Sequence, residues 1–289
     1  MVDMEIRGRT DLASEARGIR MRDGGATGSL KGVRAREYRL RGLAVTSVEI
    51  LDAEGARALG KAPGHYDTLS LPAPLSRGDA RFADGAAALA ELLAPRLPAG
   101  REDGVLIAAL GNPDVTPDAL GSLAAGSLLV TRHLKRADSP AFRAFSSTLL
   151  CRTGVLGTTG VESAVQIRAL CEALRPACVL AIDALAGSEL SGLCRSVQIC
   201  DTGIAPGSGV GNDREALDRA SLGIPVIAVG VPTVIDASSL AAGEELGDLF
   251  VTPRFIDSAV RSVARLIAYG VNLALHPGLT IADIDLLVG

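Results

Sequence analysis

Three short apolar runs, Val105–Leu110, Cys178–Ile182 and Val226–Val231, are separated by amphipathic segments of helix length. Strands covered on both faces read this way, so the pattern predicts buried parallel strands joined by crossover helices. The first crossover helix is expected to start at Thr116, a plausible N-cap, with Pro117 at its first position, and to run to about Lys135. A second helix is expected over Glu162–Leu174 and a terminal one over Asp257–Leu275. Upstream, residues 43–50 and 66–71 alternate as half-buried strands do, and 79–95 reads as an Ala/Leu helix. Residues 1–42 are rich in Gly and Arg without an apolar period. They read as an appendage outside the core, with a flexible loop at Asp23–Ser29.

Composition narrows the class. The 289 residues are 48% apolar and 21% charged, enough to bury a sizeable core and too apolar for a largely disordered chain. Aromatics make up only 3% and Trp is absent, which argues against a stacking groove for sugars or nucleic acid. The net charge of −4 is uneven, because residues 1–42 hold ten Lys and Arg against six Asp and Glu. That basic head is interleaved with Asp11, Glu15, Asp23 and Glu37, so direct nucleic-acid binding is not expected, while docking on its own acidic body is allowed. No stretch approaches the roughly 20 apolar residues of a membrane span. Charges at Asp3, Glu5, Arg7 and Arg9 stand where a signal peptide needs an apolar core, so a cytoplasmic protein without a membrane partner is expected. Cys151, Cys171, Cys178, Cys194 and Cys200 lack CxxC spacing and read as buried reduced thiols, not zinc ligands.

In open α/β sheets ligands gather at the carboxyl ends of the strands, and three polar segments fall there: Gly111–Asp118, Asp183–Ala186 and Pro232–Asp236. Asp183, ending an apolar strand, sits at the rim of a low-dielectric core where a raised pKa is expected. A helix cap or a structural ion pair would also account for an acid there. Asp118 is the second candidate, with compensation of a helix N-terminus as its plainer explanation. Two carboxylates in one crevice do not both ionise easily, so one can polarise a carbonyl while the other takes a proton from water. The run Gly203–Asn212 lacks the Lys-Ser/Thr of a P-loop and reads as a tight loop walling the crevice. His65, His133 and His276 are scattered and no Gly-x-Ser-x-Gly elbow is present, which argues against a Ser-His-Asp or Cys-His centre.

Several of these segments belong to a longer pattern. Leu110-Gly111-Asn112 with Val115–Gly121, then Leu128–Leu134, Gly154–Glu162, Ala181–Ala186, Val197–Ile204, Pro206–Asn212 and Gly223–Ala237, closely resemble the germination protease family of spore-forming bacteria. The resemblance is near-continuous over residues 105–237, and Asn272 matches the family's terminal helix. Arg9–Glu15 resembles the family's propeptide junction and also its cleavage site in small acid-soluble spore proteins: an acidic residue, an apolar residue and Ala before Ser-Glu.

The resemblance implies an endopeptidase made as a self-processing zymogen, with residues 1–13 a removable propeptide, Ala13–Ser14 the scissile bond and 14–289 a single peptidase domain. It implies small acid-soluble spore proteins as substrate at germination, a homotetramer, and a place in the forespore or spore core. The family is regarded as an atypical aspartic peptidase. Its two essential aspartates carry over onto Asp118 and Asp183, with Asn112, Glu162 and the 203–212 loop organising the site, and no cofactor or metal is expected. The Gly111–Gly121 segment is also similar to hydrogenase-maturation endopeptidases, which implies a three-layer α/β/α sandwich with a mostly parallel central sheet. Those enzymes use an acid at the Asp118 position as a metal ligand, so a metal-dependent peptidase is the alternative. A catalytically silent relative that binds spore proteins is another. The family commonly has His where this chain has Ala205, and a far longer insertion where this chain has 238–256.

Overall fold

A computed structural model describes residues 10–23, 30–98, 104–137, 142–207, 214–240 and 249–288. Outside these lie most of the implied propeptide (1–9), the expected loop at Gly24–Ser29, Ser208–Asn212 of the glycine-rich run, and 241–248 of the shortened region. The amino-terminal part comprises α1 (Ala13–Asp23), β1 (Val33–Leu40), β2 (Leu43–Ile50), α2 (Ala53–Leu59), β3 (Gly64–Ser70) and α3 (Phe82–Leu93). The middle comprises β4 (Val105–Ala109), α4 (Leu120–Ala124), α5 (Arg132–Arg136), β5 (Thr148–Arg152), α6 (Leu156–Thr159), α7 (Ser163–Leu174), β6 (Cys178–Gly187) and β7 (Ser196–Cys200). The remainder is α8 (Arg219–Leu222), β8 (Val226–Asp236), β9 (Phe250–Val251), α9 (Ile256–Leu275) and α10 (Ile281–Val288).

All nine strands join one sheet in the order β1-β2-β3-β7-β8-β6-β4-β5, with β9 paired to β8. The α/β class is the expected one, but the sheet is mixed, not mostly parallel. Pairing is parallel only among β5, β4, β6 and β8, and antiparallel from β8 through β7, β3 and β2 to β1. The continuous apolar runs are the parallel strands, and burial explains why: Leu106, Ala108, Val179 and Ala181 pack on one side beside Ile167 and Cys171 of α7. Val105, Ile107, Leu180 and Ile182 pack on the other beside α3 and α9. A strand that buries both faces has no polar alternation to show.

Two expectations are corrected. Residues 10–23 and 30–42 are not an appendage: Leu12 and Ala13 are buried, α1 packs against the sheet, and β1 forms its edge. Arg41 and Gly42 both take positive φ (49° and 75°), which gives the two-residue hairpin joining β1 to β2 its twist. The charged residues of Val33–Leu40 are those of an exposed edge strand, where charge discourages pairing with another chain. Nor does one helix run from Thr116 to Lys135. A 3₁₀ turn (Thr116–Asp118) leads into the five-residue α4, and α5 follows only after an extended stretch, Leu128–Thr131. Side chains from elsewhere hold that stretch open. The buried Asn272 of α9 accepts from Leu129 N (2.9 Å) and donates to Ser127 O (2.8 Å), and Thr148 Oγ1 accepts from Thr131 N (3.0 Å). Thr116 therefore caps nothing; its hydroxyl donates to Asp257 at the start of α9.

Candidate active site

Strand β6 does not stop at Ile182 but continues to Gly187, so Asp183 lies inside the strand, paired with Gly230 of β8. By period-two alternation it shares the face of Val179 and Ala181, and only 4% of it is exposed. Its own strand meets it from within: Oδ1 accepts from Ala184 N at 2.9 Å.

Asp118 arrives by a different route. After β4 the chain turns sharply at Gly111, whose φ of +97° disfavours any side chain, and a Cβ there would sit 1.9 Å from Asp118 O. The turn brings Asn112 N to Asp118 Oδ2 (2.8 Å), while the 3₁₀ turn is closed by Asp118 N donating to Val115 O (2.8 Å). Immediately beyond, Gly121 lets α4 press onto the strands, where an added Cβ would meet Leu110 O at 2.4 Å and Ile182 O at 2.5 Å. This close seat carries Asp118 to the end of β4 and the middle of β6 together.

Asp118 and Asp183 line one cavity of about 470 Å³, with Asp11, Ser163, Arg214 and Thr233 among its other walls. Burial pushes the Asp183 carboxyl well above the ordinary range, and the charges of Asp118 and Asp11 push it further, against the opposing Ala184 N–H and Arg214. Burial also raises Asp118, but the Asn112 N–H and Arg214 work against it. The two acids are thus unequal: Asp183 keeps its proton to higher pH, and Asp118 is the one prepared to carry charge. That division is the one expected of an acid pair with separate roles.

The remaining expected residues fall into place unevenly. Asn112 contributes through its backbone amide, while its side chain accepts from Asp114 N (3.0 Å). Glu162 precedes α7 without a side-chain capping bond and is not among the described residues lining the cavity, although its neighbour Ser163 is. Pro206 and Gly207 of the glycine-rich run line it, whereas Ala205 faces a neighbouring cavity of about 310 Å³ that also holds Lys61, Gln198 and Cys200. Ala13 and Ser14 open α1: Ala13 is fully buried, and the Ser14 hydroxyl lies 3.0 Å from Thr68 Oγ1. Asp11, two residues before Ala13, reaches both cavities. Arg214, Lys61 and Gln198 carry no sequence signal, being single polar residues in unrelated segments. Among the described residues no three His, Cys, Asp or Glu side chains gather as metal ligands. No described helix is long and apolar enough to cross a membrane.

Comparison with known proteins adds a family. A family model described as germination protease matches residues 13–244. A germination protease of Clostridium perfringens is 39% identical over 325 aligned positions, covering 96% of this chain and 98% of the relative. One from Caldanaerobacter subterraneus subsp. tengcongensis is 36% identical, covering 97% and 98%. One from Bacillus cytotoxicus is 39% identical over a shorter match, 81% of this chain and 65% of that protein.

Proposed function

The chain belongs to the germination protease family, and from that premise we propose that it is an endopeptidase of spore germination. In this reading it is made in the forespore as a zymogen, removes its own residues 1–13 by cutting Ala13–Ser14, and then degrades small acid-soluble spore proteins. It works as a homotetramer in the spore core, without cofactor or metal.

The observation that carries the reading is the pairing of Asp118 and Asp183 in one cavity with unequal environments. Water held between them loses a proton to the Asp118 carboxylate as its oxygen bonds to the scissile carbonyl carbon. Protonated Asp183 donates to the carbonyl oxygen, where negative charge develops. As the tetrahedral intermediate collapses, one of its hydroxyl protons returns to Asp183 while C=O re-forms, the C–N bond breaks, and the proton on Asp118 passes to the leaving amine. Arg214, facing both acids, favours the ionised form of each, and the deeper burial of Asp183 leaves Asp118 the one that gives up its proton first. Gly111 and Asn112 fix the ionised carboxylate through one backbone N–H, so its orientation is set by main chain rather than by a mobile side chain.

Intact mass after incubation of the purified chain tests this directly. The wild type should lose residues 1–13, whereas Asp118→Asn and Asp183→Asn should each slow the loss by about 10²-fold or more, the usual weight of a lost acid–base group, with circular dichroism unchanged. Processing at the wild-type rate by either variant would remove the assignment.

A further inference from the structure

Residues 10–13 lie in a seat that meets their backbone group by group. Asp11 N donates to Ala186 O (2.8 Å), and Ala186 N returns a bond to Asp11 Oδ2 (2.8 Å). The side-chain amide of Gln198, on β7, spans the segment: Nε2 donates to Asp11 O (3.0 Å), while Oε1 accepts from Ala13 N (2.7 Å). Lys61, just beyond α2, donates from Nζ to Thr10 O (3.1 Å). Leu12, between the two groups that Gln198 holds, is 1% exposed.

These contacts read the main chain, with two exceptions in side-chain chemistry: an acid at position 11 and an apolar residue at position 12. A Gln that bridges the C=O of one residue and the N–H two residues later copies what the edge of a β-sheet offers an extended peptide. Gln198 is itself 6% exposed, and both ends of its amide bond to the segment. Lys61 leans on the segment in part: its ammonium donates to Thr10 O, and Asp11, together with Cys200 and Glu15, opposes the burial that depresses its pKa. When residues 1–13 leave, both side chains lose these partners beside the wall shared by the two cavities. Buried polar groups without partners are costly, so the seat is built to be refilled.

We propose that Gln198 and Lys61 form the peptide-docking subsite of the processed enzyme, holding the stretch of substrate that precedes the cleaved bond in the place residues 10–13 occupy here. The occupant is an extended peptide with a carboxylate three residues before that bond and an aliphatic residue next. Gln198 and Lys61 are positioning residues: they touch the peptide but not the reacting atoms. The inference rests on the peptidase reading for the identity of its occupant, but its test does not require cleavage.

The probe is a fluorescein-labelled peptide with the sequence of residues 8–16, titrated by anisotropy against the full-length chain carrying Asp118→Asn, which prevents cutting, and Leu12→Lys, which empties the seat. Saturable binding is expected. Gln198→Ala and Lys61→Met, each added to that background, should weaken it about tenfold, the worth of one hydrogen bond to a buried or charged group. A peptide with Lys in place of Asp should lose at least as much. If Leu12→Lys does not fold, Asp11→Lys, at a partly exposed position, empties the seat in its stead. Absence of saturable binding, or binding that neither subsite change weakens, overturns the proposal. Cleavage of the same peptide by chain with Asp118 intact reports separately on the peptidase reading: an inactive chain that still binds through Gln198 and Lys61 keeps the subsite and loses the enzyme.

Discussion

Asp183 places an ionisable group where the fold would sooner have none. Its pKa is raised above the ordinary 3.8, so the folded chain binds its proton more tightly than the unfolded chain does. The sign follows: its contribution to stability is full below the ordinary Asp range and is lost as pH rises toward the folded value. Asp183→Asn, which cannot ionise, should therefore raise the melting temperature relative to wild type at neutral pH by about 2–4 °C, the equivalent of about 1 kcal/mol in a chain of this size. The difference should close as pH falls toward the ordinary Asp range. An equal difference at both pH values would mean that the gain does not come from the charge. Asp118 and Asp183 were visible in the sequence because acids beside apolar strands are conspicuous. The interior position of Asp183 was not, since nothing in Ala184–Gly187 tells a strand that continues from a loop that begins. Gln198 and Lys61 were invisible for a different reason: a polar residue whose partner lies 187 or 51 positions away leaves no local pattern.

Helix α4 shows how much of the site depends on close packing of backbone on backbone. Gly121→Ala would drive a methyl into Leu110 O and Ile182 O, neither of which is the end of a flexible side chain. The turn bearing Asp118 must then lift off the strands. Urea unfolding should show a loss of about 1–3 kcal/mol, the usual cost of overpacking, together with a fall in peptide cleavage larger than the stability loss explains. Asn272→Ala tests the other support, because it leaves Leu129 N and Ser127 O unpaired inside the molecule. About 2–3 kcal/mol should be lost, with amide exchange rising first in residues 127–131. These two details also mark where periodicity stops being informative. The apolar spacing of 116–135 is that of one helix, yet distant side chains on α9 and β5 divide it. Conversely, β1 was missed because an edge strand full of Arg and Glu lacks the apolar signal that identified β4, β6 and β8, although Arg41-Gly42 is a fair hairpin turn.

Strands covered on both faces were legible from the buried runs, and the single nine-stranded sheet carries helices on both. The antiparallel half of the sheet was not, because which neighbour a strand selects is decided by contacts remote in sequence. The homotetramer proposed above is a property of the whole molecule. Light scattering on the purified chain should return particles of four chains, and single chains across the micromolar range would end that part of the proposal. Concentration governs how firmly the docked amino-terminal segment holds its seat. While joined to α1, residues 10–13 face their seat at an effective concentration on the order of millimolar, whatever the protein concentration. If the bond after Ala13 is cut as proposed, the same residues, with the same contacts, become a free ligand at no more than the concentration of the enzyme itself. Dilution then empties the seat, and a cell that packs the protein densely should release its activity more slowly than one that disperses it.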